Sequence, residues 1–220
     1  MNNRAVYPLM LLAVVAIVFV WSGIAPFDRG TWIGETVPVM IAVPLLLATY
    51  RRFPLTPMVY FLIAVHAIIL MVGGHYSYAR VPLGEWLRDT FHFARNHYDR
   101  LGHFAQGFVP AMIAREVLLR RSPLRRGKWL VFIVVSICLA ISAAYELIEW
   151  ASAVFAGDSA TDFLGTQGDI WDAQKDMLMA LIGAVVAMLT MQRLHDRQLA
   201  RIETPSSAER LDRSSAQHAS

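Results

Sequence analysis

Residues 53–74 read FPLTPMVYFLIAVHAIILMVGG, with no Asp, Glu, Lys or Arg anywhere in the stretch. A helix needs about 20 mostly apolar residues to cross the hydrocarbon of a bilayer, so this segment reads as a membrane span. Residues 6–25 meet the same condition. Working outward, 32–50 is interrupted only by Glu35 near its start, and its Pro38 and Pro44 are tolerated inside a membrane bundle. Residues 129–150 are polar only at their far end, 173–192 become long enough if the helix begins near Asp172, and 99–119 carry charge at both ends. The expectation is therefore an all-α, polytopic transmembrane helix bundle of about six spans, forming one integral membrane domain over 1–195, with a disordered cytoplasmic tail over 196–220.

The whole composition agrees with that class: 56% of the 220 residues are hydrophobic, and mean hydropathy is +0.43. The apolar residues come in long blocks, not in the alternation of a soluble core. Cys138 is the single cysteine, so an intrachain disulfide and a cysteine zinc site are both excluded. A pI near 9.2 comes largely from clustered arginines that suit anionic lipid head groups, and nucleic acid is not needed as a partner.

Those arginines set the orientation, because basic short loops stay in the cytoplasm. Arg51 and Arg52 lie between the second and third spans. Arg115, Arg120, Arg121, Arg125, Arg126 and Lys128 surround the fourth turn, and Arg193, Arg197 and Arg201 follow the sixth span. Six spans then put both termini in the cytoplasm of a multi-pass inner-membrane protein. Asp28, Glu35, Asp158, Asp162, Asp169 and Asp172 fall on the opposite side. Segment 81–98 spaces Leu83, Trp86, Leu87, Phe91 and Ala94 at helical intervals between charges, as an amphipathic interfacial helix would, either anchoring the bundle or covering the acids.

The acids and one histidine concentrate at the outer ends of three spans. Asp99, His103 and Gln106 form one helical stripe; Glu146 and Glu149 share a face with Tyr145 close by; Asp169, Asp172 and Asp176 descend into the last span towards Gly183. Ionisable groups beside lipid cost several kcal/mol unless they pair, bind a cation or line a wet cavity. Asp99, His103, Glu146, Glu149, Asp172 and Asp176 are thus the candidate catalytic residues. A raised-pKa glutamate beside His103 would suit general acid and base chemistry. His103, Glu146 and Glu149 are also the metal candidates, with His92, His97 and Asp99 nearby in sequence. Imidazole and carboxylate suit zinc or manganese, although neither HExxH nor a paired Glu-x-x-His occurs. The sequence leaves the cofactor unknown, a divalent metal being one that these residue types could hold.

Bland readings stand beside these. Asp99 and Asp172 can serve as helix N-terminal acids favoured by the macrodipole, whereas Glu146 and Glu149, expected near a C-terminal end, need partners, a proton or a cation. Arg95, Arg100 and Lys175 are available to build a purely structural salt-bridge network. His66 reads as a packed, hydrogen-bonded core histidine. Gly165-Thr-Gln-Gly-Asp169 reads as the turn into the last span, not as a phosphate loop.

The segments YDRLGHFAQGF at 98–108, YELIEW at 145–150 and GTQGDIWDAQKD at 165–176, in that order, resemble the YjdF family of bacterial inner-membrane proteins. The likeness runs over roughly 51–192 and brings no established activity with it. More distantly, acid-x3-His, Glu-x2-polar and Asp-x6-Gly resemble VanZ-like membrane proteins, with Asp99 and His103, Glu146 and Glu149, and Asp176 with Gly183 in the matching places. Glu149 stands where that family has Gln and Ala180 where it has Asn. The resemblance implies an envelope role and not glycopeptide resistance.

Three function classes follow. The first is a membrane-embedded enzyme or binding protein for an envelope lipid or lipid-linked molecule, its partners being the bilayer and that ligand. The second is a proton- or cation-coupled small transporter, and the third a structural or assembly factor. The absence of ionisable residues in 177–192 and in the fifth span before Glu146 weighs against transport. Nothing in the sequence specifies an oligomeric state.

Overall fold

The computed structural model describes residues 3–156 and 167–203. Asp158, Asp162, the start of the 165–169 turn and residues 204–220 lie outside the described residues. The rest is an all-helical bundle. Its elements are α1 (Asn3–Gly23), α2 (Arg29–Thr49), α3 (Pro57–Tyr76), a short 3-10 turn (Tyr78–Arg80), α4 (Pro82–Phe91), α5 (Tyr98–Arg121), α6 (Lys128–Ala156), α7 (Asp172–Thr190) and α8 (Gln192–Glu203).

Five of these, α1, α2, α3, α6 and α7, are long and apolar enough to cross a membrane. Helix α5 is too polar for that test, but its 24 residues make it about 36 Å long, and it runs the depth of the bundle. At one end Arg100 meets Asp172, the first residue of α7. At the other, Glu116 meets Thr56, just before α3. An interior helix surrounded by protein can carry charges that a lipid-facing helix cannot.

Helices α5 and α7 form the closest pair, flanked by α3 and α6, while α1 and α2 pack on α3. Glycine makes the central contact tight. A Cβ on Gly107 would overlap the Ala180 carbonyl, and one on Gly183 would overlap the Phe104 carbonyl, so the two backbones approach as in small-residue membrane interfaces. Below this contact Ala111, Met112, Leu130, Val134, Cys138, Ala184 and Met188 form a dry core. Cys138 is the packing residue expected.

Three boundaries differ from the sequence reading. Helix α6 continues through Ala156, beyond residue 150, so Glu146 and Glu149 lie about two turns or more inside it and not at its C-terminal end. Helix α8 occupies part of the stretch assigned to a tail from 196 onward, because His195 and Leu199 are fully buried against the bundle. The amphipathic helix α4 stops at Phe91, where His92 adopts a left-handed conformation (φ 56°). It rests on the 3-10 turn and on Asn96, with Leu83, Trp86 and Phe91 left exposed. Asp99 and Asp172 lie in the first turns of α5 and α7, where the macrodipole favours carboxylates, although the cap positions themselves belong to His97 and Trp171.

Candidate functional site

At the Asp99 end of the bundle, four helices bring acids together, and packing fixes each. The Tyr78 ring is wedged where a Cβ on Gly73 or Gly102 would strike it, and its hydroxyl reaches Glu35 of α2. Tyr145 of α6 donates to the same carboxylate, 3.2 Å to Oε2. Glu35, counted in the sequence only as a charge near the start of a span, is 4% exposed and belongs to the site.

His103 stands at the centre. Its Nδ1 lies 3.0 Å from Gln106 Oε1; the amide oxygen can only accept, so Nδ1 carries the proton in that contact. Nε2 then points between Asp99 Oδ1 at 3.5 Å and Asp176 Oδ1 at 3.8 Å. Glu146 Oε1 is 3.7 Å from Nδ1. Glu149 completes the group within electrostatic reach of Glu146, Glu35, Asp99 and His103.

The arginines divide the cluster in two. Arg95 and Arg100 each approach Asp172 Oδ1 at 2.5 Å. Arg100 also contacts Asp176, and both arginines reach towards Asp169. Outside the spans, the Lys175 ammonium, hydrogen-bonded at 2.6 Å, followed by the Trp171 backbone N–H, holds Asp169 below the usual carboxylate range. Asp172 is therefore an ion-pair anchor, matching the salt-bridge reading for that residue. Asp99 keeps a longer ion pair with Arg95, at 3.8 Å, and Asp176 its contact with Arg100, whereas Glu35, Glu146 and Glu149 lie around His103 without an arginine or lysine ion pair among the described residues. Glu146 Oε1 is buried and has no hydrogen-bond partner among the described residues.

The turn into α7 braces this end. Gln167, at φ 46°, accepts from the Asn96 backbone N–H at 3.1 Å and donates to its carbonyl at 3.0 Å. Asn96 in turn binds Glu85 and the Val81 carbonyl. The 165–169 segment thus does act as a turn over its described part, and Gln167 links it to the start of α5.

His92, His97 and His66 fall elsewhere. His92 and His97 are exposed outside the cluster, His97 ring-to-ring with Phe93 at 5.2 Å. His66 Nε2 is buried in α3 and has no hydrogen-bond partner among the described residues.

A second polar network, not singled out from the sequence, closes the opposite end. Thr56 donates to Glu116 through its N–H, at 3.0 and 3.1 Å, and through its hydroxyl at 2.8 Å. Arg120 adds a 2.7 Å contact to Glu116. His195 bridges Glu116 at 2.9 Å and Arg115 at 2.8 Å, while Arg115 and Arg126 both donate to Asp196. Burial alone would raise the Asp196 carboxyl, but the two guanidinium groups outweigh it and hold the group below its ordinary range. The adjacent Arg115-Glu116 pair in an otherwise apolar stretch was the available signal for this network.

Comparison with known proteins agrees with this architecture. Over 202 residues, 90% of this chain and 97% of the relative, it is 51% identical to the inner membrane protein YjdF of Escherichia coli (strain K12). No solved structure matches it. The family model described as "Predicted membrane protein (DUF2238)" matches residues 7–197, and the chain belongs to that family.

Proposed function

We propose that the chain is a bacterial inner-membrane protein with both termini in the cytoplasm, whose Asp99-end cluster faces the periplasm and binds or processes an envelope lipid or lipid-linked molecule. The observation that carries this reading is Glu146. Its Oε1 is buried beside His103 without a hydrogen-bond partner among the described residues, while its neighbours Leu147, Ile148 and Trp150 are exposed on the same helix. A reactive acid just behind a lipid-facing surface can meet a head group approaching from the bilayer. Glu146 and Glu149 would exchange protons, with His103 and Asp99 as their partners.

Transport is favoured less. Between Gln106 and Arg115, helix α5 carries only apolar residues, 107–114, and Ala111 and Met112 are fully buried. The two polar ends are thus separated by dry packing. The direct test is lipidomics of a deletion strain carrying wild type or Glu149→Gln. An envelope lipid that changes on deletion, returns with wild type and stays changed with the variant supports the proposal; an unchanged lipid profile opposes it.

A further inference from the structure

We infer that Asp99, His103 and Asp176 form a binding site for a divalent metal ion of the zinc or manganese type. Each offers one ligand atom, and these atoms all lie within 4.8 Å of one another in a buried setting. Asp99 and His103 are four apart on α5, the spacing that stacks two ligands on one helix face. Asp176 faces them from α7, in the way bundle cores build metal sites from opposed helices.

Proximity of acids alone would not make a site. The histidine supplies an independent observation. Its Nδ1 lies 3.0 Å from Gln106 Oε1 and donates there, so in the neutral ring Nε2 is the nitrogen that offers a lone pair, and the Gln106 contact is the orienting bond usual for a metal-bound imidazole. That nitrogen faces two carboxylate oxygens at 3.5 and 3.8 Å, both longer than a well-formed N–H···O bond. Asp176 supplies a second: its side chain is 4% exposed, and its Oδ1, in ionic contact with Arg100, has no well-formed hydrogen bond among the described residues. Imidazole with carboxylates suits zinc or manganese better than magnesium, which keeps several waters and prefers oxygen ligands alone.

The geometry selects a different set from the His103, Glu146 and Glu149 expected from sequence. Glu146 approaches the Nδ1 edge of the ring, away from Nε2. A cation at Nε2 would also offset the carboxylate excess that Arg95 and Arg100 leave. The inference concerns the cluster on which the proposed function rests, but metal content is measured separately from lipid phenotype, so either can fail alone.

The test uses the full chain purified in detergent, stripped with chelator and titrated with Zn2+, with Mn2+ and, as a control, with Mg2+. One Zn2+ or Mn2+ per chain is expected, weakened at least about tenfold by His103→Gln and by Asp176→Asn, a loss that even outer-shell changes can produce. X-ray absorption of the wild type loaded with the bound ion needs no variant to fold, and should show a single imidazole nitrogen among oxygen ligands. Failure of the wild type to bind either ion, unchanged affinity in folded variants, or a spectrum without imidazole would overturn the inference.

Discussion

Tyr145 of α6 donates a hydrogen bond to Glu35 of α2 across 3.2 Å, joining the N-terminal helices to the acidic end of α5, α6 and α7. Glu35 thereby becomes part of a cluster drawn from four helices. Its burial within the bundle means that the cluster is assembled only when the whole fold is in place.

Orientation is the first matter to test. A reporter active only in the periplasm should be silent when fused after Arg126 or Gln192 and active after Asp162, since basic loops are retained in the cytoplasm. The reverse pattern would turn the cluster towards the cytoplasm.

The α5–α7 contact gives a prediction whose sign opposes helix propensity. In a helix interior Ala is favoured over Gly by about 1 kcal/mol, yet at Gly183 its Cβ would overlap the Phe104 carbonyl. Gly183→Ala should therefore lower the melting temperature in detergent, at an overpacking cost of about 1–3 kcal/mol. A raised melting temperature would show that the helices are less closely packed.

Arg100 and Asp172 should behave as structure. Both are buried, and breaking such a pair by removing one partner costs about 3–5 kcal/mol. Arg100→Gln and Asp172→Asn should each reduce expression and thermal stability together. Wild-type melting of either variant would remove the anchoring role.

Asp196 predicts a pH dependence. Burial would raise its pKa, but Arg115 and Arg126 outweigh burial and hold the folded-state value below the ordinary carboxylate range. Its stabilisation is fully present above the unfolded value and is lost as pH falls through the folded one. Asp196→Asn should be less stable than wild type at neutral pH, with the gap narrowing below about pH 4. A gap that widens on acidification would contradict this sign.

Much of the architecture can be read in the chain because membrane helices announce themselves by length and apolarity, and Asp99, His103, Glu146 and Asp176 by helical spacing at one end. Spacing assigns a residue to a face but not to the neighbour it meets. Glu35 therefore passed as a charge at the start of a span, and Asp172 as a candidate catalyst although two arginines hold it. Helix α6 outran its expected end because 151–156, ASAVFA, contains neither Pro nor Gly to stop it. The Glu116–His195 bridge joins residues 79 positions apart, a pairing that periodicity cannot supply.

The central claim is that the acids facing His103 act chemically and do not merely brace the bundle. Glu149→Gln keeps the shape of the side chain and removes its charge and proton exchange. Complementation of a deletion strain and thermal melting, measured on this same variant, test the claim most directly. The account predicts wild-type melting with complementation abolished; a stable Glu149→Gln protein that complements fully would contradict it.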